Sequence, residues 1–368
     1  MIKVLLITNF PAPYFVDYAI ELSKYCHVKV FFESSGANHR EKSWFKKVEG
    51  NNIEYVFVKE RYSKNKLPSF KMLKLLKREQ YDRLIICNPA SPTGILLLLY
   101  CRRKKIPFLL QSEGGFQGKG NGFKERLKKF SMEKALGFLS GMNSNNDYFL
   151  KYGATNKTLL HYPFSSLRQD EIEKKVISKN NKDRLKKQLG IKEDIIVLYV
   201  GRFIKIKGID VLIESLYDLP DNAGIYFIGG ELNEEMNSLI EKNNVKNIHT
   251  IKFLSKQQLK EYYLASDIFI MMSQGDTWGL VINEAMSNGL PVITTTSCVA
   301  GNELIENGIN GYLVEKKDYK SANYFVRKLI SDESLRKAMS SNNISKIQKY
   351  SIDNMALTIF NHISKFKY

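Results

Sequence analysis

A chain of 368 residues, 43% hydrophobic and 26% charged, is too apolar for a disordered protein and too long for one ordinary core, so two domains are expected. No apolar run reaches the roughly 18–20 residues that a membrane-spanning helix needs. Its four scattered cysteines form no C-x-x-C pair, which favours free thiols in a reducing compartment over disulfides or zinc.

The first element, "KVLLITNF" near the N-terminus, is a near-continuous apolar run, typical of a parallel strand covered on both faces. It carries no small-residue cleavage site and reads as the first strand of a cytoplasmic protein. "PYFVDYAIELSKY" follows with helical spacing, then the strands "HVKVFFES" and "NIEYVFV". "PSFKMLKLLKREQ" is a helix, "DRLIICNP" a strand, "PTGILLLLYCRRKK" a helix, and "PFLLQSEGG" a strand ending in a glycine turn. This βαβ alternation predicts a doubly wound α/β sheet. Residues 165–194 are polar and charged and mark a linker, which puts the first domain at 1–170 and the second at 171–350. The pattern then restarts: "IIVLYVGRF", "AGIYFIGG", "IHTIKFL", "DIFIMMS" and "PVITTT" read as strands. "GIDVLIESLYDL", "SKQQLKEYYLAS" and "GLVINEAMSNG" read as helices between them. The tail, 351–368, is an amphipathic helix that either caps the second domain or packs back on the first. Two Rossmann-like domains facing each other would bind ligands between the carboxyl ends of their strands.

The charge is lopsided. The formal net charge is +18, and residues 1–170 hold 29 Lys and Arg against 14 Asp and Glu, whereas the rest holds 27 against 24. Such asymmetry points to an anionic partner: a lipid surface, a nucleic acid or a phosphorylated substrate. Two segments concentrate it. Residues 61–80 set Phe70, Leu73 and Leu76 beside Lys71, Lys74, Lys77 and Arg78. Residues 118–138 set Phe123, Leu127 and Phe130 on one face with Lys124, Arg126, Lys128 and Lys129 around it. Each is either a core-facing stripe with a solvated lysine face or a basic amphipathic helix for an anionic membrane surface. The membrane reading suits 118–138 better, because glycines flank it.

Two stretches of the second half carry candidate chemistry. In "LYVGRFIKIKGIDVLIESL" a strand ends at Gly201 and a helix begins near Gly208, with Arg202 and Lys207 between them. Such a turn exposes backbone N–H groups and two cations where a diphosphate would lie; it is equally a loop with solvated charges. In "SQGDTWGLVINEAMSNGLPVIT" Asp276 lies in a strand-to-helix loop, and Glu284 stands about one and a half turns into the helix. Carboxylates accept from vicinal sugar hydroxyls, but an Asp helix cap and a solvated Glu are the ordinary alternatives. No D-x-D and no His/Cys/acid cluster with ligand spacing occurs.

Together, "GRFIKIKG", "SQGDTWGLVINEAMSNGLPVIT" and "GINGYLV" (308–314) resemble glycosyltransferase family 4, the large retaining GT-B family. The match covers most of the second half in order and spacing; the first half matches in layout only. The resemblance implies a GT-B fold of two Rossmann-like domains. It implies retaining transfer of a sugar from a nucleoside-diphosphate donor, UDP being the favoured carrier, to a hydroxyl of a glycan or polyprenyl-diphosphate-linked acceptor in cell-surface polysaccharide biosynthesis. Arg202 and Lys207 match the diphosphate-binding pair. Asp276 matches the acid that bonds donor-sugar hydroxyls, and Glu284 the one that holds the ribose diol. Thr277, Trp278, Gly279 and Leu280 match the helix start at sugar and phosphate. Phe253 and Leu254 match the segment against the base. No metal or other cofactor is implied, since the cations and the helix terminus hold the diphosphate; nor is a dedicated nucleophile.

Three positions depart from the family pattern. Asp276 is one methylene shorter than the usual Glu. "NFPAPYF" (9–15) replaces a glycine-rich loop. Where many relatives carry a cleft-facing histidine, the strand offers Glu113, which either faces the anomeric carbon or acceptor hydroxyl or bonds N–H groups of its own glycine turn. Two other functions compete. A nucleotide-sugar 2-epimerase of the same architecture would need acids and histidines set for proton abstraction, and no such set is evident. A nucleic-acid-binding protein fits the charge, but no helix-turn-helix, zinc-finger or RNP signature occurs, so no nucleic-acid partner is expected.

Overall fold

The structure, a computed structural model, describes residues 1–35, 52–58, 67–112 and 122–366. It divides into unit 1, Met1–Ser166 with Tyr350–Tyr368, and unit 2, Leu167–Lys349. Leu167 and Ile172 are buried, and the Glu173 N–H bonds the Ser287 carbonyl at 3.0 Å, so the division falls four residues before the 170/171 boundary.

Unit 1 runs β1 (Lys3–Thr8), α1 (Pro13–Leu22), β2 (His27–Phe32), β3 (Ile53–Phe57), α2 (Phe70–Leu76), β4 (Arg83–Ile86), α3 (Pro92–Lys104), β5 (Leu109–Ser112), α4 (Phe123–Met132), β6 (Gly137–Ser140), α5 (Asn143–Lys151) and β7 (Leu159–His161). Its seven strands are parallel in the order β3-β2-β1-β4-β5-β6-β7. Strand side chains alternate between faces. Leu5, Ile7, Leu84, Ile86, Leu110 and Phe138 point to one face and share a core with Met72, Leu97 and Met132 of α2, α3 and α4. β6, α5 and β7 have no counterpart in the sequence reading. Strands of four and three residues are too short to show a period.

Unit 2 runs α6 (Lys179–Gln188), β8 (Ile195–Val200), α7 (Ile209–Glu214), β9 (Ala223–Ile228), α8 (Glu234–Lys242), β10 (Ile248–Ile251), α9 (Lys256–Ala265), β11 (Ile268–Met271), α10 (Leu280–Ser287), β12 (Val292–Thr295), α11 (Val299–Leu304), β13 (Gly311–Val314), α12 (Tyr319–Ser331) and α13 (Glu333–Ile347). Its six strands are parallel in the order β10-β9-β8-β11-β12-β13. Strands such as β8 and β11 are buried almost throughout because helices cover both faces. The last helix, α14 (Ile352–Ser364), belongs to unit 1. There Tyr25 stacks on Phe360 at 5.5 Å, and the Arg83 Nε donates to the Ile363 carbonyl at 2.8 Å. Capping of the second domain, one of the two expectations for this helix, is thereby excluded.

The linker reading of 165–194 is corrected: the segment holds α6. It is held by ions as much as by apolar contact, which is why its composition resembles a linker. Lys182 Nζ reaches Asp267 Oδ1 at 2.8 Å, and Lys186 Nζ reaches Asp267 Oδ2 at 3.2 Å. The Ile196 N–H donates to the same carboxylate at 2.9 Å. Burial pushes the Asp267 carboxyl up, but Lys182, Lys186 and the Ile196 N–H outweigh it and hold it below its ordinary value. A carboxyl depressed by folding stabilises the protein above its unfolded pKa and loses that contribution as pH falls through the folded one. Asp267→Asn is therefore expected to cost about 3 kcal/mol at neutral pH by urea unfolding, since it strands buried Lys186 and half-buried Lys182. The difference from wild type should shrink below about pH 4. Equal midpoints at neutral pH would contradict it.

Candidate functional site

The strand order of unit 2 reverses between β8 and β11. Chain leaving the carboxyl ends of these two neighbours turns opposite ways, and such a switch point is where open α/β sheets bind ligands.

After β8 the chain makes the 201–208 turn. Tyr199 OH donates to the Arg202 carbonyl at 3.3 Å, and the Lys207 N–H to the Ile204 carbonyl at 2.8 Å. The turn is sewn to the loop after β11. The Gln274 N–H donates to the Ile206 carbonyl at 2.8 Å, and Ser273 Oγ donates to the same carbonyl at 3.1 Å. Gly208 makes this closure possible. Its φ is +63°, and a Cβ there would stand 2.0 Å from the Met272 carbonyl oxygen. Lys207, one residue earlier, is thereby carried to the β11 loop, where its Nζ donates to Asp276 Oδ2 in a largely buried ion pair. Arg202 is exposed, and its guanidinium has no hydrogen bond or ion pair among the described residues.

Asp276 does not cap the following helix. Its N–H bonds the Ser297 carbonyl at 3.1 Å, and it forms an isolated parallel bridge with Cys298. Gly279 occupies the N-cap of α10 at φ +100°, with no side-chain cap. A Cβ on Gly279 would lie 2.7 Å from Cys298 Sγ. The first-turn N–H groups of a helix lack intrahelical acceptors, and the helix dipole favours an anion there. Thr277 is exposed and Leu280 half-buried, but Trp278 is interior at 4% exposure, with Nε1 donating to Asn283 Oδ1 at 2.7 Å. Its indole therefore supports the loop from within, and only its backbone is left to face a ligand at the helix start. Burial pushes the Cys298 thiol up to about 12, so it is no nucleophile.

Glu284 is half-buried in α10, and Tyr263 of α9 donates to its Oε2 at 2.9 Å. Burial raises the Glu284 carboxyl; the Tyr263 bond and Lys256 oppose that, and Glu171 adds to it. Burial, and then Glu284 itself, pushes the Tyr263 hydroxyl well above its ordinary value. Lys256 and Glu171 pair at 2.6 Å. Phe253, 68% exposed, and half-buried Leu254 follow β10, at the carboxyl end of the same sheet. Glu113 lies outside the described residues. Tyr263, Ser273, Gln274 and Cys298 were not singled out from the sequence. Each acts through a partner distant in the chain, which spacing alone does not reveal.

Residues 181–346 match the model of the family described as Glycosyl transferases group 1. The match lies wholly within unit 2. The chain is similar to the spore coat protein SA of Bacillus subtilis (strain 168), 32% identical over 167 residues, covering 40% of this chain and 42% of that protein. It is also similar to the lipopolysaccharide glucosyltransferase WaaG of Escherichia coli (strain K12), 28% identical over 169 residues, covering 44% and 45%. The chain spans about half the length of the curated relatives it matches. Across the whole chain, the solved structure of Anabaena Alr3699/HepE in complex with UDP superposes at TM-score 0.77, with 17% identity and 100% of both chains covered. At that identity the likeness is one of fold, and the fold is GT-B, as expected from sequence.

Gly208→Ala is expected to destabilise unit 2 by more than about 2 kcal/mol, combining left-handed strain with a backbone clash. Gly308→Ala has the same strain (φ +78°) but nothing within 4 Å and should cost only about 1 kcal/mol. Urea unfolding of the two variants checks the order.

Proposed function

We propose that the chain is a retaining glycosyltransferase of family 4. It would move a sugar from a nucleoside-diphosphate donor, UDP first, to a hydroxyl of a glycan or lipid-linked glycan in cell-surface polysaccharide synthesis. One observation carries this reading: at the switch point of unit 2, Lys207 and Asp276 meet on the turn that carries Arg202, which has no partner among the described residues, and at the glycine-capped start of α10. A cation pair and a helix N-terminus suit a diphosphate, and carboxylates on either side suit hydroxyls. The printed names of similar proteins support it in kind. HepE has been solved with UDP-glucose, and CapM of Staphylococcus aureus, 30% identical over 176 residues, is named a capsular polysaccharide biosynthesis glycosyltransferase.

In this reading the bond from the anomeric carbon to the diphosphate breaks with its electron pair going to phosphate. Arg202, Lys207 and the first turn of α10 stabilise that growing charge. The acceptor oxygen bonds the anomeric carbon on the same face, and its proton passes to the departing phosphate oxygen. Asp276, already on Lys207, would accept from a donor-sugar hydroxyl and link sugar position to phosphate position. Glu284, oriented by Tyr263, would accept from the ribose diol, with Phe253 and Leu254 beside the base. We assign no metal to this chemistry, because cations and helix terminus supply the charge. The free thiols Cys26, Cys87, Cys101 and Cys298 support a cytoplasmic, reducing setting.

With UDP-sugars and an extract of lipid-linked glycans, UDP release should survive excess EDTA. Lys207→Ala should lower kcat/KM by roughly a hundredfold or more. Glu284→Ala should act mainly on donor KM, by about tenfold or more. Full loss with EDTA, restored by a divalent ion, would refute the metal-free assignment. Undiminished turnover in both variants would refute the site.

A further inference from the structure

Unit 1 holds the surplus charge of the chain, 30 Lys and Arg against 14 Asp and Glu, while unit 2 is nearly balanced at 26 against 24. On unit 1, α4 has its apolar rings on the wrong side for a core helix. Its buried residues are Ser131 and Met132, whereas Phe123 is 80% exposed and Phe130 48% exposed. The two rings stand seven positions apart, two turns or about 10 Å along one stripe. A surface helix that serves only its core turns such residues inward.

The charges around the rings divide into two groups. Lys128 pairs with Glu125 at 2.9 Å, and Arg102 of α3 pairs with Glu133 at 2.9 Å while lying over the Phe130 ring at 3.7 Å. Lys124, Arg126 and Lys129 are exposed and have no ion pair among the described residues. Nearby acids are thus already used, and three cations interleave with two exposed rings. Farther along the same sheet face, Leu67 and Phe70 at the start of α2 are 71% and 69% exposed. Right-handed crossovers of a parallel sheet put the N-termini of α2 and α4 at the same end, so these apolar groups share the end that carries Phe123.

Exposed rings flanked by free cations match the headgroup layer of an anionic bilayer, where rings enter the acyl boundary and cations meet lipid phosphates. A nucleic acid would satisfy the cations and could stack on the rings, but aliphatic Leu67, 71% exposed, fits an apolar layer and not a base stack. We propose that unit 1 docks peripherally on an anionic lipid surface through α4, with Phe123 and Phe130 inserted and Lys124, Arg126 and Lys129 on lipid phosphates. The proposal stands on the surface of unit 1 and does not depend on the transferase reading.

Flotation of the full chain with phosphatidylcholine vesicles, with and without phosphatidylglycerol, tests it. Binding should require the anionic lipid and weaken with salt. The triple variant K124E/R126E/K129E should lower the partition coefficient roughly a hundredfold. F123S/F130S should lower it about tenfold and remove the salt-resistant fraction. K187E/K192E, on unit 2, should bind as wild type. Thermal stabilisation by UDP, measured on every variant, reports folding and the donor site separately. Wild-type partition of the α4 variants would overturn the proposal, as would binding to neutral vesicles alone. So would single-stranded DNA that displaces the protein from vesicles and binds F123S/F130S as tightly as wild type.

Discussion

The candidate site depends on the closure of one turn onto one loop at the reversal of a parallel sheet. β8 and β11 are neighbours, so their carboxyl ends emerge side by side, and the two connections leave in opposite directions. Only a residue without a side chain fits where they cross, since any Cβ at Gly208 would collide with the Met272 carbonyl. The Ile206 carbonyl, held by the Gln274 N–H and Ser273 Oγ, fixes the approach. The meeting of Lys207 and Asp276, 69 positions apart, is a consequence of that closure.

This geometry gives the opposed charges different surroundings. Lys207 and Asp276 satisfy one another, while Arg202 is exposed and has no ion pair among the described residues. Glu284 is held the other way, by burial and one tyrosine hydroxyl, with its carboxyl raised. A half-buried acceptor with one neutral donor among the described residues is well suited to a second donor such as a hydroxyl. The shortened acid at 276 acquires a physical meaning here. With Lys207 as its partner, the reach of its carboxylate is set by the turn as much as by its own length.

Much of this was legible in the sequence. Runs such as "IIVLYV" and "IFIM" identify strands buried on both faces, and the spacing from Gly201 to Gly208 and from Asp276 to Glu284 puts cations and acids at strand ends. The closure that joins them was not legible, because it depends on which strands are neighbours. Tyr263 meets Glu284 across two helices that flank β11, and Trp278 is buried with its Nε1 on Asn283. Helix α6 was concealed because lysines on Asp267 do part of the work usually left to an apolar stripe. In α4 the periodicity grouped Phe123 with Phe130 but left open whether that face looks inward or outward. For α14 amphipathicity showed that it packs, not on which unit.

A crystal structure with UDP tests the central claim most directly. The account predicts the diphosphate within hydrogen-bonding distance of Arg202, Lys207 and the first turn of α10, with the ribose diol on Glu284. A diphosphate bound elsewhere, or a ribose turned away from Glu284 while Lys207 stays closed on Asp276, would contradict it.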